Sequence, residues 1–345
     1  MEKTATSLPQ KIWKLIKENP IVFMLVIVCF AVGLNIENFF SFRNLNSLIS
    51  NTTVRFLIAL GVSGCLITKG TDLSAGRAVG LCACLAGTLL QDPTYTGRMY
   101  NWPEFNLVAA FLVVVAVGAV FGLINGLIIS KLNVPPFIAT LGTQTIVYGI
   151  CLVFTNAQPI GNFKDSYKSF VNGTVGKGLF TVPITGEVFP GVPYLLAWAV
   201  IFGLLFWFLY NKTTHGKYMY AIGGNENAAE VSGVNTVRAK IIIYVTAGAM
   251  YAIAGYLLAP KGGGASSGSG MGYELEAIAG CTIGGVSTTG GIGTVGGVLV
   301  GVLVFELLKI VLQFLGVNPY YNYIVQGLVI VTAVALDIRK YIAKK

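Results

Sequence analysis

The stretch Asn211 to Lys240 reads NKTTHGKYMYAIGGNENAAEVSGVNTVRAK and lies between two strongly apolar segments. Its centre predicts a very short helix. Asn225 suits an N-cap, its side chain accepting from a free backbone N–H of the first turn, and Gly233 suits a left-handed close. Glu226 to Ser232 then makes about two turns, well short of the ~12 residues an isolated helix needs in water. Such a helix must dock on something. Four-residue spacing puts Glu226 and Glu230 on one ridge, a mildly unfavourable like-charge pair that a cationic groove on another protein would relieve. A solvated loop with a chance acidic face fits the same residues, and both readings stay open on the residues alone.

The apolar flanks of this stretch are the rule in the chain rather than the exception. Of 345 residues, 54% are hydrophobic and 11% charged, and the mean hydropathy is +0.73. Soluble domains carry about a quarter charged residues, so the chain reads as an all-α, polytopic membrane protein. Apolar segments are spread evenly from residue 20 to residue 336, which predicts one membrane domain over 1–345. The net charge of +9 does not call for nucleic acid, because the lysines and arginines cluster in short loops as membrane topology demands. Six cysteines lie in apolar segments without a CxxC, so neither a disulfide framework nor a metal site is indicated. The basic start followed by Pro20 to Leu34 is similar to a signal peptide, but no small-residue cleavage site follows, and it reads as an uncleaved first span.

Ten segments are long or apolar enough to span or re-enter a bilayer: 20–34, 48–67, 75–90, 107–129, 137–154, 193–210, 240–259, 275–289, 294–315 and 322–336. With both termini cytoplasmic, Arg43, Arg98, Lys164, Lys168, Lys177 and Lys261 fall outside and Arg55 and Lys309 within spans. The other fifteen of the 23 basic residues lie inside. The positive-inside rule therefore sets the orientation: 211–240 is a cytoplasmic loop, and 156–192 is the longest loop on the outer side. Neither loop is long enough for an enzyme domain, and no GxxxxGK[ST] phosphate loop occurs. Energy for any work must come from a partner or an ion gradient.

Two glycine-rich stretches interrupt the spans, Thr68 to Arg77 and Gly262 to Gly272, the second leading into Tyr273-Glu274-Leu275. Each precedes a short small-residue helix, third in its half of the chain, and with five spans per half the second half is inverted relative to the first. Broken segments at matching places in inverted halves point to a transport pathway, although two ordinary tight loops also fit. The third glycine run, Gly284 to Gly301, allows close helix packing. Among ionisable groups, Asp72 sits at a helix start, where either a cap or a pathway role suits it. Glu306 and Lys309, three apart, form a structural pair on one face. His215 beside Lys217 reads as solvated. No Cys/His/Asp or Ser/His/Asp set shares a location, so no catalytic residue is assigned.

A polar solute must shed water to cross and needs hydroxyl or carboxylate partners. Thr71, Asp72 and Ser74 offer these, with Asn125, Thr140, Thr143 and Gln144 on neighbouring segments. Gly70 and Phe137 complete the candidate pathway set.

Thr71-Asp72-Leu73-Ser74-Ala75-Gly76, Gly122-Leu123-Ile124-Asn125-Gly126, Pro136-Phe137-Ile138-Ala139-Thr140-Leu141-Gly142-Thr143 and Gly223-Gly224-Asn225 through Ser232-Gly233 resemble ribose/galactoside-type ABC importer permeases. The run Tyr273-Glu274-Leu275 to Gly297 and the end Val334-Ala335-Leu336-Asp337 fit as well, so the resemblance covers nearly the whole chain. Most of that family carries a Gly-Ile-Asp-Leu-Ser-Val-Gly type motif. Gly70-Thr-Asp-Leu-Ser-Ala-Gly-Arg77 departs from it toward the galactose/methyl-galactoside branch, and so does Gly316-Val317-Asn318-Pro319-Tyr320. The Glu306/Lys309 pair belongs to no family motif.

The resemblance implies a permease subunit of an ATP-driven monosaccharide importer in the bacterial cytoplasmic (inner) membrane. Galactose, methyl galactoside or glucose is the implied cargo, with ribose or another small sugar as the alternative. It implies a second permease copy, two ATPase subunits that bind the ATP and Mg, and a periplasmic sugar-binding protein. It also implies that Gly224, Asn225, Glu226, Ala228, Ala229, Glu230, Ser232 and Gly233 form a coupling helix seated in the ATPase. An ion-coupled carrier is the rival from another class. Such carriers place acids at mid-membrane, whereas this chain offers Asp72 near an edge and Glu306 beside a lysine. A passive channel would leave the capped acidic helix without a purpose.

Overall fold

A computed structural model of the chain describes residues 27, 30–36, 39–181, 188–318 and 320–342. The basic N-terminal segment with Trp13, most of the expected first span before residue 30, Pro319 and the last three residues lie outside the described residues. Residues 30–35 are helical. The helices that follow are α1 Phe42–Ile67, α2 Ala75–Leu89, α3 Leu107–Lys131, α4 Pro136–Thr155, α5 Asp165–Asn172, α6 Leu195–Lys212, α7 Thr214–Gly224, α8 Glu226–Val231, α9 Thr236–Lys261, α10 Tyr273–Ile283, α11 Val295–Phe314 and α12 Tyr321–Ile342. Among the described residues, six (α1, α3, α4, α6, α9 and α11) are long and apolar enough to cross a bilayer. The protein is a multi-pass helical membrane protein.

Two helices form the axis. In α1, every residue from Thr52 to Ile67 except Arg55 is buried, as expected of a helix that is apolar all round. The other is α9, which buries Tyr244, Tyr251 and Tyr256 almost completely. These two helices pack on each other; α9 also packs on α2 and α3, and α1 on α10 and α11. In turn α2 meets α3 and α4, while α10 meets α11 and α12. Small residues permit these approaches. A Cβ on Gly118 of α3 would collide with the Gly248 carbonyl of α9, and one on Gly248 would collide with the Gly118 carbonyl. Such backbone-to-backbone contact is the usual basis of helix association in lipid.

Several expected boundaries move. The first of these helices, α1, begins at residue 42 rather than 48, because Ser41 caps it by accepting from Asn44 N. The segment expected over 275–289 is the 11-residue α10, which stops at Ile283. Gly285, Gly290 and Gly291 then take left-handed φ values of 83°, 88° and 76°, which ends the helix whatever its hydropathy. At 1.5 Å per residue α10 covers about half of a ~30 Å hydrocarbon core. The 211–240 stretch holds an additional helix, α7, capped by Thr213. The loop at 156–192 contains α5, whose Tyr167 hydroxyl donates to the Tyr256 carbonyl of α9, and a short antiparallel pairing of Thr174–Val175 with Val192–Pro193.

Candidate functional site

The short helix α8 forms as its residues suggest. Asn225 Oδ1 accepts from Ala228 N at 3.1 Å. Gly233 has φ 86°, and the following Val234 N reaches back to the Ala229 carbonyl at 3.0 Å. Two features differ from the sequence reading. Glu226 does not stand free beside Glu230, because Lys240 pairs with it at 2.5 Å. Ala229, one of the residues expected to seat in the ATPase, faces inward. It is buried against Ile222 and Ala239, so it seats α8 on the permease itself. The face that is offered is Asn227, Ala228, Glu230, Val231, Ser232 and Gly233, all exposed, with Val231 91% exposed.

Behind α8 lies a junction of glycines. Gly223, near the end of α7, abuts the carbonyl of Ile67, the last residue of α1, and the amide of Gly291. That amide donates to the Ile67 carbonyl at 2.8 Å. Lys69, at φ 61°, donates from Nζ to the Gly224 carbonyl at 3.3 Å, and Tyr220 OH donates to the Gly293 carbonyl at 2.8 Å. The loop after α10 and the start of the first broken stretch therefore both touch the end of α7, next to α8. His215 is half-buried rather than solvated. It lines a cavity of about 240 Å³ with Leu60, Phe206, Tyr210, Met219 and Ile243, and burial lowers its pKa.

Three residues on from Lys69, the first broken stretch draws together most of the pathway candidates. Asp72 is buried. Its Oδ1 accepts from Ser74 N at 2.9 Å and from Ser74 Oγ at 2.6 Å. Its Oδ2 accepts from Tyr251 OH of α9 at 3.1 Å. Asn125 Nδ2 of α3 donates to Ser74 Oγ at 2.8 Å. Thr140 of α4 accepts from Leu73 N and donates to the Thr71 carbonyl, each at 3.1 Å. Gly70 lies against the Tyr244 hydroxyl. Asp72 is thus both a turn-former and a link between helices. Thr143 is buried and bonds within α4. Phe137 is exposed and Gln144 half-exposed, and neither joins this group.

The second broken stretch lies against the first. Ser269 and Gly270 pack on the glycine faces of Gly76 and Gly80, and Glu274 Oε2 approaches Gly76. Arg77 Nη1 donates to the Ser267 carbonyl at 3.2 Å. Beyond it, the Glu306/Lys309 pair, 3.2 Å apart, proves to be half of a larger cluster. Arg55 Nε lies 2.6 Å from both Glu276 and Glu306, and Lys309 lies 2.6 Å from Glu276. Gln326 Nε2 of α12 donates to Glu276 at 3.0 Å. The sequence reading missed Glu276, Glu274 and Tyr251. A signal for the first existed: Arg55 and Glu276 both fell inside expected spans, where opposite charges pair by default.

A small-residue helical core, two broken helices and a short capped helix exposed between α7 and α9 make this a membrane transport subunit. A model of the branched-chain amino acid transport system / permease component family matches residues 44–334, and the chain belongs to that family. It is 43% identical over 341 residues, covering 97% of this chain and 98% of the relative, to the galactose/methyl galactoside import permease protein MglC of Haemophilus influenzae. It is 44% identical to MglC of Escherichia coli, covering 96% of both chains. The ribose import permease protein RbsC of Bacillus subtilis is 36% identical, covering 94% of this chain and 93% of the relative. No solved structure matches the chain.

Proposed function

We propose that the chain is the membrane subunit of an ATP-driven sugar importer whose cargo is galactose, methyl galactoside or glucose. The observation that carries this reading is the identity of 43–44% to galactose/methyl galactoside permeases over almost the full length. The ribose relatives, at 33–36%, are less similar. Sugar arrives on a periplasmic binding protein at the outer face of the inner membrane. Two permease copies work with two ATPase subunits that hold the ATP and Mg, and both termini are cytoplasmic.

The ten-span, two-half arrangement has support in the packing. Exchanging α1 with α9, α2 with α10, α3 with α11 and α4 with α12 turns each of the main packed pairs of the core into another that is also present. The loop at 211–240 carries the coupling function. The projecting Val231 and Glu230 insert in the ATPase, and the Gly223 junction passes its movement to the end of α1 and the loop after α10. The stretch Gly70 to Ser74, with Asn125 and Thr140, lines or gates the path, and Phe137, Thr143 and Gln144 flank it.

The test is transport by the complete importer in proteoliposomes. Labelled galactose accumulates when ATP and liganded binding protein are both supplied, and ribose does not compete. Accumulation driven by an ion gradient without ATP would overturn the reading in favour of a carrier.

A further inference from the structure

Two polar clusters join helices of this protein, and they use elements that correspond under the exchange of the two halves. The first links Tyr251 of α9, Asp72 and Ser74 before α2, Asn125 of α3 and Thr140 of α4. The second links Arg55 of α1, Glu276 of α10, Glu306 and Lys309 of α11 and Gln326 of α12. Exchanging α9 with α1, α2 with α10, α3 with α11 and α4 with α12 converts one set of elements into the other. In the inverted arrangement Asp72 follows the inner end of α1, whereas Glu276 lies in the first turn of α10, toward the outer face. In that arrangement the Asp72 clasp lies toward the inner side and the Glu276 clasp toward the outer side.

Stability alone gives a poor account of the second clasp. Side chains of Arg55, Glu276, Glu306 and Lys309 are 17%, 10%, 2% and 15% exposed. Burying four charges costs desolvation that their attraction only offsets when the geometry is good, and apolar residues of the same size often do as well. Ionisable groups are kept inside membranes mainly where function needs them. An independent observation concerns polar atoms with no hydrogen-bond partner. Among the described residues the buried ones are Thr52 Oγ1, Asn125 Oδ1, Tyr244 OH, Glu274 Oε2 and Asn322 Oδ1. Thr52 lies one turn outward of Arg55 on α1, and Asn322 one turn outward of Gln326 on α12. Asn125 is in the inner clasp, and Tyr244 touches Gly70 beside it. Glu274 sits between the two broken stretches. Buried polar groups are normally paired, and here the exceptions collect on the elements of the two clasps.

Resting on the permease reading above, we infer that the Arg55–Glu276–Glu306–Lys309–Gln326 cluster and the Asp72–Ser74–Asn125–Thr140–Tyr251 cluster are the outer and inner gate latches of the transport cycle, parting alternately. Both are closed here. When a latch opens, its neighbouring unpartnered groups gain water or cargo hydroxyls. Two corresponding latches explain why one is ionic and the other hydrogen-bonded without upsetting the fold: each needs only to hold its own four elements together.

The test uses the complete importer in proteoliposomes, with Thr52→Cys as a reporter just outward of Arg55 and a charged, membrane-impermeant maleimide added on the outside. Glu306→Gln, or the milder Gln326→Leu should Glu306→Gln fold poorly, raises outside labelling of the reporter roughly tenfold, since each removes part of one state's contacts. Tyr251→Phe, which deletes one hydroxyl of the inner latch, lowers it. Thermal melting of each variant is measured alongside, because a purely structural role moves melting without opposite labelling shifts. Labelling that moves the same way in both classes, or stays at the parent level in folded variants, overturns the assignment. Labelling is read with and without ATP and needs no cargo, so a failure of the galactose reading leaves this result interpretable.

Discussion

Val231 carries the most exposed apolar side chain on α8, while Ala229, two residues before it, points into the protein. The two positions therefore separate docking from folding. An apolar anchor filling a partner's pocket is the usual carrier of binding energy. Val231→Asp is expected to weaken binding of the ATPase subunit roughly tenfold or more and to abolish uptake, while melting of the permease is unchanged. Pull-down of the ATPase by the purified variant checks this, and normal binding would rule Val231 out of the interface. Asn225→Ala, by contrast, acts through the helix, removing a cap worth about 1 kcal/mol, and should partly impair coupling. His215 gives a third, independent check. Burial disfavours its charged form, so it titrates below the ordinary ~6.5. Folding then favours the neutral ring: the effect is nil above about pH 6.5, and stability falls as pH drops below that value toward the lowered pKa. As this is the single histidine of the chain, NMR of histidine-labelled protein reads it directly. A pKa at or above 6.5 would contradict the packing of α7 on α1.

The elements meet through glycines, and two adjacent ones behave oppositely. A Cβ on Gly223 would strike the Ile67 carbonyl and the Gly291 amide, whereas one on Gly224 meets nothing within 4 Å. Gly223→Ala is expected to lower the melting temperature by several degrees, as a loss of about 1 kcal/mol or more does, and to stop uptake. Gly224→Ala should leave the melting temperature unchanged. Equal effects from the two would remove the junction from the coupling route. This contrast also shows what a sequence reveals at this scale. The cap at Asn225, the close at Gly233 and the breaks at Gly70 and Gly262 are local chemistry and were legible. The end of α10 was not, because Val286 and Ile292 continue the apolar pattern past glycines whose left-handed turns hydropathy does not register. Helix α7 was hidden for a related reason: its 11 residues mix Gly, Tyr and Lys without a clear stripe. The ionic clasp was hidden by distance, since Arg55 and Glu276 are 221 residues apart in the chain.

At the scale of the whole molecule, the protein is a membrane core whose two axial helices, α1 and α9, each end at a broken stretch. A subunit that must release its cargo cannot hold it tightly, and each 1.4 kcal/mol of affinity is a factor of ten. Discrimination among sugars then belongs mainly to the binding protein, and the isolated permease should show no galactose binding at micromolar concentration by calorimetry. ATP hydrolysis by the complete complex should in turn depend on the liganded binding protein. Both follow from one claim, that this chain is a sugar permease driven through its cytoplasmic helix. The most direct measurement of that claim is ATP-driven uptake of labelled galactose by proteoliposomes containing permease, ATPase and binding protein. The account predicts accumulation that needs ATP and liganded binding protein together and disappears with Val231→Asp. Accumulation that persists without ATP, or that survives Val231→Asp undiminished, would contradict it.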